Sequence, residues 1–411
     1  TRGGHTSLWH PLGRRTALSS DLSYAGSSGE FLFFNDHATP QYTNDDSFDY
    51  RQNNAYNRGL GRLRVDHRRG PWRLMSQGFA LYKHQGIAGV AGAPSPGSTL
   101  TTGLGKLMIA ATRRRLTARP GGHLRWLASA GHTGRTFVEA SNSGAPRQHT
   151  RVVDTFFSPQ LRLPLWRGAF TTLVADQRSE WIRVQTKSGD PARVLGAQDR
   201  ARHRFGVGLE VEQFMLNNRL RVVPAIRVEA LRSRFPAGDA PDQLATTDRI
   251  RSDVAASPRI GVRLRLAPGL DLRSSVGRYF RPPTVLELFG DRGAIRGNEE
   301  LLPEQGTAID GGLTLDRALG TRHHVYSQLA GFHRSGRDTI AMLPTGTAVR
   351  AFNLAGTRVL GLEAAISLAL WSRHVELAAN YTLMPTRNLE AGASGGSRPL
   401  PGRPLHQLFV R

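Results

Sequence analysis

The sequence contains no cysteine, only three lysines (Lys83, Lys106 and Lys187) and no long run of hydrophobic residues. The absence of cysteine excludes disulfide bonds and thiolate metal sites, and it fits an oxidising compartment. Only 39% of the residues are hydrophobic, and no segment approaches the roughly 18 apolar residues of a membrane-spanning helix. A helical membrane protein is therefore disfavoured, whereas a membrane β-barrel remains open because its apolar residues alternate along each strand.

The net charge of +23 comes mainly from arginine. An excess of positive charge of this size is typical of proteins that bind nucleic acids or anionic surfaces. A preference for arginine in a GC-rich genome explains it equally well. The arginines are spaced singly rather than clustered with aromatic residues, which argues against a nucleic-acid groove. Residues 1–15 are polar and basic and are not a signal peptide, so an exported protein would lack its beginning here.

Strict alternation of apolar and polar residues is the main pattern in the chain. Phe205, Val207 and Leu209 alternate with the polar or small residues Gly206, Gly208 and others. Period two over eight to twelve residues is typical of strands and not of helices. The same pattern recurs in four further segments: residues 219–231, 259–266, 359–370 and 374–383.

The lengths and faces of these segments indicate their environment. A soluble sandwich also alternates, but its strands average about five or six residues. The segments here approach the roughly nine to eleven residues that a tilted strand needs to cross a bilayer. Their second face carries arginine and glutamate, which a water-filled lumen accepts. The pattern favours a membrane barrel and leaves a soluble basic β-protein, with salt-sensitive DNA binding, as an alternative.

The connections between the segments are of two kinds. Short turns are expected at residues 217–218, 267–269 and 371–373. Outer-membrane barrels combine short turns at one end with long loops at the other, although lipocalin-like proteins and propellers show some of this asymmetry. No fixed repeat and no domain linker are present. Long polar connections are expected at residues 35–54, 86–102, 141–150, 236–257, 281–303 and 388–404.

The most distinctive connection lies within residues 277–304. Pro282 and Pro283 lack a donor for the sheet and should end the preceding strand. Gly290, Gly293 and Gly297 permit tight reversals of the backbone. A long structured connection between two antiparallel strands is therefore predicted here, and it is unusually long for a hairpin.

Three stretches resemble the TonB-dependent outer-membrane receptor family. One is residues 29–54, similar to an early barrel hairpin, and another comprises Asn353, Gly356, residues 361–363 and residues 380–381. The third is the connection just described, where the family motif matches Arg281, Pro282, Pro283, Glu287, Phe289, Gly290, Asn298, Leu301, Pro303 and Glu304. Each stretch alone is weak evidence, but the three occur in the order expected for the family.

The resemblance implies an all-β fold, an antiparallel transmembrane β-barrel that is incomplete in residues 1–411. A complete barrel of this type has about 22 strands and a plugged lumen. The plug domain and its TonB-contacting segment are expected before residue 1, and the closing strands after residue 411. The missing strands would leave costly open edges in lipid.

The resemblance also implies a function in the bacterial outer membrane. The expected role is active uptake of a scarce, bulky nutrient, an iron–siderophore complex or cobalamin, with energy from the TonB complex through the missing plug segment. The surrounding partners would be outer-membrane lipid and lipopolysaccharide, and the protein would be a monomer. A passive porin or structural barrel without energy coupling is the alternative.

No catalytic constellation is present, because the chain lacks a G-x-S-x-G elbow, a Walker A loop and an H-E-x-x-H helix, so no enzyme activity is expected. No cofactor is expected except a structural calcium ion. Asp45, Asp46 and Asp49 form its candidate loop, although the spacing is not that of an EF-hand and a solvated turn is the simpler interpretation. His323 and His324 are adjacent on a strand and should point to opposite faces.

Arginines on the polar faces are the second kind of candidate site. In a wet lumen they would create a positive field that favours an anionic ligand such as a ferric chelate. The simpler expectation is that they pair with Glu210, Glu212, Glu229 and Asp271 on neighbouring strands. The arginines concerned are Arg204, Arg221, Arg227, Arg263, Arg265 and Arg273.

Overall fold

The computed structural model shows an antiparallel β-protein. It describes residues 1–35, 37, 43–90, 93–95, 97–138, 147–187, 194–236, 248–290, 295–345, 348–372, 374–389, 399–400 and 402–411. The first half contains β1 (Arg2–Pro11), β2 (Thr16–Ser27), β3 (Leu32–Asn35), β4 (Ser47–Tyr50), β5 (Tyr56–Arg69), β6 (Trp72–Gly86), β7 (Gly89–Val90), β8 (Ala93–Pro94), β9 (Thr99–Arg114), β10 (His123–Val138), β11 (Arg147–Pro164) and β12 (Ala169–Lys187).

The second half contains the only α-helix in the described residues. Its elements are β13 (Val194–Met215), β14 (Leu220–Phe235), β15 (Arg249–Ala267), β16 (Leu270–Arg281), α1 (Val285–Phe289), β17 (Ile295–Arg296), β18 (Glu304–Leu319), β19 (His323–Thr345), β20 (Ala348–Leu370), β21 (Val375–Leu383), β22 (Thr386–Asn388) and β23 (His406–Val410). Among the described residues, no helix has the length and hydrophobicity needed to cross a membrane.

One 19-stranded sheet contains all the long strands, and each long strand pairs antiparallel with the next one along the chain. β17 is the exception, because it runs parallel to β20. In the part of the chain that the structure describes, β1 pairs only with β2 and β23 only with β21. The sheet is therefore not closed on itself. The small hairpin β3–β4 lies outside it.

The apolar face of the sheet is exposed and the polar face is covered. On β13, Phe205, Val207 and Leu209 are 53%, 44% and 41% exposed, whereas Glu212 is only 4% exposed. The apolar rows are thus not packed against a second sheet, which excludes a sandwich and shows that they face outward, as expected for a membrane barrel. Further rows of the same kind include Ile226 and Val228, Ile260 and Val262, Leu360 and Leu362, and Ile309 and Leu313.

The strands are longer than the alternation predicted. β19 and β20 each have 23 residues, or about 75 Å of extended chain against a hydrocarbon core of about 30 Å. The extra length lies at the end of the sheet that carries the long connections. As a result, β15 begins at Arg249, within the connection expected at residues 236–257, and Pro258 lies inside that strand.

The short turns lie where the sequence predicted them. Asn217 and Asn218 have φ angles of 53° and 65°, a left-handed conformation that asparagine tolerates well. Gly269 has φ 78°, and a Cβ there would approach the Asp316 carbonyl oxygen to 2.3 Å, so the turn requires glycine. The turn at Trp371 and Ser372 is also left-handed.

Candidate functional site

The arginines of the polar face are paired with carboxylates, as the simpler expectation predicted for Glu212, Glu229 and Asp271, whereas Glu210 has no ion pair among the described residues. Arg227 lies 2.6 Å from Asp176 and 3.2 Å from Glu229, which also contacts Arg204. Arg221 pairs with Glu212. Asp271 lies 2.7 Å from Arg263, 3.8 Å from Arg265 and 4.0 Å from Arg273. The inner wall is therefore a network in which arginines outnumber their acidic partners.

The connection between β16 and β18 is held together by ion pairs at its two ends. β16 ends at Arg281, immediately before Pro282 and Pro283, as the prolines predicted. The Arg281 guanidinium lies 3.1 Å from both Glu287 and Glu304. Glu304 is only 4% exposed and also accepts a 2.6 Å hydrogen bond from Arg334. Three residues of the family motif thus meet at one guanidinium.

A short helix, which the sequence analysis missed, follows the prolines. The Thr284 side chain accepts from the Glu287 amide at 3.2 Å, and the Glu287 carboxylate accepts from the Thr284 amide at 2.6 Å, which forms a capping box. α1 ends at Phe289 because Gly290 turns the chain with φ 66°. A Cβ at Gly290 would approach the Ile295 carbonyl oxygen to 2.4 Å, so only glycine fits. Gly293 lies outside the described residues.

The returning half of the connection packs against β20. Leu301 is fully buried and forms an apolar cluster with Leu288 and Ala351. The Asn298 side chain donates to the Ala351 carbonyl oxygen at 2.8 Å. Pro303, two residues after Leu301 in the sequence, is also buried. Leu301 and Asn298 therefore fix the connection to β20, in addition to the short parallel pairing of β17 with that strand.

Side chains from distant strands fix the opposite side of the connection. The Arg202 guanidinium on β13 donates to the Pro283 carbonyl oxygen at 2.5 Å, and Arg251 on β15 donates to that of Leu301 at 2.6 Å. The Arg200 guanidinium lies 4.5 Å from the centre of the Phe289 ring, a cation–π contact. The connection therefore lies against the inner, polar wall of the sheet and fills part of the space that this wall encloses.

A cavity of about 610 Å³ lies between the connection and the inner wall of β9 to β13. Its charged lining is mostly basic, with Asp154 and Glu180 as the acidic groups. Lys106 lies 2.8 Å from Asp154, whereas Arg135 has no ion pair among the described residues. The buried Gln148 Oε1 has no hydrogen-bond partner there either. The basic lining residues are Lys106, Arg135, Arg178, Arg202, Arg204 and Arg281.

This arrangement has the features of a ligand-binding site. The cavity offers guanidinium groups, an ammonium group and an unsatisfied amide oxygen, which recognise anionic groups with polar substituents. Lys106, Arg135 and Arg178 were not singled out from the sequence. They lie on strands far from the connection along the chain, and alternation alone does not show which strands face it.

The candidate calcium residues Asp45, Asp46 and Asp49 lie in the described part of the chain, whereas residues 38–42 before them do not. Asp49 on β4 accepts hydrogen bonds from Asn35 Nδ2 at 2.9 Å and Ser47 Oγ at 3.1 Å. Among the residues that the structure describes, no group of three or more His, Asp or Glu side chains is arranged to hold a metal. Calcium binding by Asp45, Asp46 and Asp49 stays a prediction.

The two adjacent histidines have separate surroundings. His323 Nδ1 accepts from the Trp371 amide at 3.3 Å, whereas His324 Nε2 lies 2.8 Å from Asp316. The two rings point to opposite faces, as predicted, and do not form a shared metal site.

The family model described as "TonB dependent receptor-like, beta-barrel" matches residues 1–410. The chain belongs to the TonB-dependent receptor family. No curated protein sequence matches it. This family consists of receptors and transporters of the outer membrane and not of enzymes. Exposed apolar rows are expected in such a family, because its barrels are surrounded by lipid.

Solved structures of other receptors have the same fold. The structure titled "Copper transporter OprC" is 14% identical over 97% of this chain, with a TM-score of 0.73. The alcaligin receptor FauA from Bordetella pertussis is 14% identical over 99%, with a TM-score of 0.66. The ferric citrate transporter FecA is 12% identical over 99%, with a TM-score of 0.66. The chain spans 61–62% of the length of these proteins.

Proposed function

We propose that the protein takes up a scarce, bulky anionic nutrient across the bacterial outer membrane. The first candidate for this nutrient is an iron–siderophore complex. Uptake would be driven by the TonB complex acting through a plug domain, with the receptor working as a monomer. The cavity beside the connection carries this proposal. Five of its six basic groups are paired with Asp154, Glu180, Glu229, Glu287 or Glu304, whereas Arg135 has no ion pair among the described residues. The guanidinium of Arg135 is therefore the group that favours an anionic chelate over a neutral ligand.

Two of the solved relatives support an iron-chelate cargo, since their names give alcaligin and ferric citrate, whereas the third is named for copper. Cobalamin, the other nutrient expected from the sequence, has less support from the cavity because it lacks the negative charge that the arginines would attract. A structural calcium ion in the loop of Asp45, Asp46 and Asp49 is a separate proposal.

A transport assay tests the proposal. A strain with and without the full-length gene is supplied with ⁵⁵Fe chelates of different net charge and with labelled cobalamin. We expect gene-dependent uptake of an anionic chelate that stops when TonB is deleted or the proton-motive force is collapsed. Uptake that persists without TonB would instead support the passive porin. Uptake of cobalamin alone would contradict the anionic cargo.

Isothermal titration tests the calcium proposal separately. Heat on addition of calcium should be larger for the protein than for a variant with Asp45, Asp46 and Asp49 replaced by alanine. Equal heats in the two proteins would exclude this loop as a calcium site.

A further inference from the structure

Three consecutive short turns at one end of the sheet carry exposed arginines. They are the β1–β2 turn at residues 12–15, the β5–β6 turn at residues 70–71 and the β9–β10 turn at residues 115–122. β2 pairs with β5 and β6 pairs with β9, so the three turns are neighbours along the edge of the sheet. We define as the turn array the exposed residues Arg14, Arg15, Arg68, Arg114, Arg115 and Arg119.

The turn array is not balanced by carboxylates. Asp66 is the acidic residue closest to it in the sequence, and Asp66 is already paired with Arg64 at 2.5 Å and with Arg73 at 3.3 Å. Among the described residues, no arginine of the array forms an ion pair. The turns and the residues that flank them contain neither aspartate nor glutamate: residues 1–16, 67–74 and 111–123.

Hydrogen bonds between neighbouring turns hold the backbone of the array in place. The Arg68 amide donates to the Arg15 carbonyl oxygen at 2.8 Å, and the Arg114 amide donates to that of Pro71 at 3.0 Å. Neighbouring turns of this kind are two strand spacings apart, or roughly 10 Å. The arginines of the array therefore form an extended row along a fixed edge of the sheet.

A recess of about 870 Å³ lies on the polar face beside this row. Arg114 and Arg115 line the recess, together with His123 and Arg125 on β10. Asp66 is its acidic lining residue among the described residues, and the two ion pairs of Asp66 leave no carboxylate there for the array. A carboxylate that enters the recess would therefore meet guanidinium groups that can bind it with paired, charge-assisted hydrogen bonds.

We propose that the turn array binds peptidoglycan, the anionic polymer of the bacterial periplasm. The stem peptides of peptidoglycan present free carboxylates repeatedly along a glycan strand, which complements an extended row of guanidinium groups. The inference rests on the outer-membrane placement in the proposed function, because the short turns of such barrels face the periplasm. It is independent of the transported nutrient.

An extended polymer fits the array better than a small anion or a phospholipid does. A small anion would occupy one turn, whereas the array extends over three. A bound phospholipid needs an apolar surface for its chains. Arg68 and Arg114 instead lie on the polar face, because they are directly opposite Arg73 and His123, which line the recess.

Co-sedimentation of the detergent-purified, full-length receptor with peptidoglycan sacculi tests the proposal. The receptor should sediment with native sacculi at low ionic strength and should be released as the salt concentration is raised. Sacculi whose carboxylates have been converted to neutral amides should retain little receptor. Soluble muropeptides should displace the receptor from native sacculi, whereas short-chain phosphatidylglycerol and inorganic phosphate at the same concentration should not.

A triple variant locates the binding surface. The combination of Arg68→Gln, Arg114→Gln and Arg115→Gln should weaken binding to sacculi about tenfold, because three of the six charges of the array are lost. The combination of Arg68→Lys, Arg114→Lys and Arg115→Lys should retain most of the binding, since the charges remain. Both variants should unfold at the same denaturant concentration as the parent protein, because the substituted side chains are exposed.

The matched control combines Arg167→Gln, Arg219→Gln and Arg322→Gln. These arginines are also exposed and lie in other short turns at the same end of the sheet, so the change in net charge is the same. This variant should bind sacculi like the parent protein. The proposal would be overturned by a receptor that does not sediment with native sacculi, by undiminished binding to amidated sacculi, by equal displacement with phosphatidylglycerol, or by equal weakening in the two glutamine variants. Uptake of the nutrient does not enter this assay, so the two proposals fail separately.

Discussion

Asn353 on β20 binds both backbone groups of Leu302. Its Oδ1 accepts from the Leu302 amide at 2.8 Å, and its Nδ2 donates to the Leu302 carbonyl oxygen at 3.0 Å. The same Nδ2 donates to the Asp338 carbonyl oxygen at 2.7 Å. One side chain on β20 therefore holds the connection between β16 and β18 and also binds the backbone of β19.

Asn353→Ala should loosen the connection without unfolding the sheet. Three backbone groups lose their partner, and each loss costs about 1 kcal/mol where water can partly replace it. Limited proteolysis should therefore cut within residues 281–303 faster than in the parent protein. Asn380→Ala, at an exposed position on β21, is the control and should leave the cleavage rate unchanged. Equal rates for all three proteins would show that the connection is held by other contacts.

Two neighbouring leucines provide a direct test of packing. Leu301 is fully buried, whereas Leu302 is 47% exposed. Leu301→Ala should lower the free energy of unfolding by about 2–5 kcal/mol because it leaves a cavity against Leu288 and Ala351. Leu302→Ala should change it by less than about 1 kcal/mol. Denaturant unfolding in detergent measures both, and equal costs would contradict the burial of Leu301.

The charge of the cavity should affect ligand affinity separately from folding. Arg135 lines the cavity without an ion pair in the described residues, so Arg135→Gln should leave stability unchanged. Loss of one positive charge should weaken the binding of an anionic chelate by about 1 kcal/mol, which raises its Kd about fivefold. Arg125→Gln, on the same strand at the end near the short turns, is the control. Equilibrium binding of the ⁵⁵Fe chelate identified by uptake measures the effect, and unchanged affinity would remove Arg135 from the site.

The β3–β4 hairpin should respond to acid. Hydrogen bonds from Asn35 and then Ser47 hold the pKa of Asp49 below its usual value of 3.8. A lowered pKa means that the carboxylate stabilises the hairpin above pH 3.8 and that this contribution is lost as the pH falls through the lower, folded-state pKa. A nitroxide at Phe33 should therefore stay equally immobile from neutral pH to about pH 5 and become mobile only in stronger acid.

Asp49→Asn is the control for this acid response. Its side chain has no carboxylate to protonate, so the spectrum should be mobile at neutral pH and should change little in acid. A pH-dependent spectrum in Asp49→Asn would assign the response to another group. A spectrum of the parent protein that already changes near neutral pH would contradict the lowered pKa.

The sequence predicted the faces and many of the turns because those are local properties. Lipid on one side and polar groups on the other force alternation at Phe205, Val207 and Leu209, and the consecutive Pro282 and Pro283 remove two amide donors that a continued strand would need. The strand ends were not predicted, because beyond the lipid both faces are polar and alternation disappears. The ion-pair partners of the arginines were not predicted either, because they are distant in the sequence. Arg200, for example, pairs with Glu299, which lies 99 positions further along the chain.

The central claim is that the apolar rows face hydrocarbon and the charged rows face water. The chain has no cysteine, so single cysteines at Leu209 and Glu210 can carry nitroxide labels for measurements in bilayers. The account predicts that the label at Leu209 collides with dissolved oxygen and not with a polar nickel chelate, and that the label at Glu210 does the reverse. A label at Leu209 that is reached by the nickel chelate, or shielded from both reagents, would contradict it.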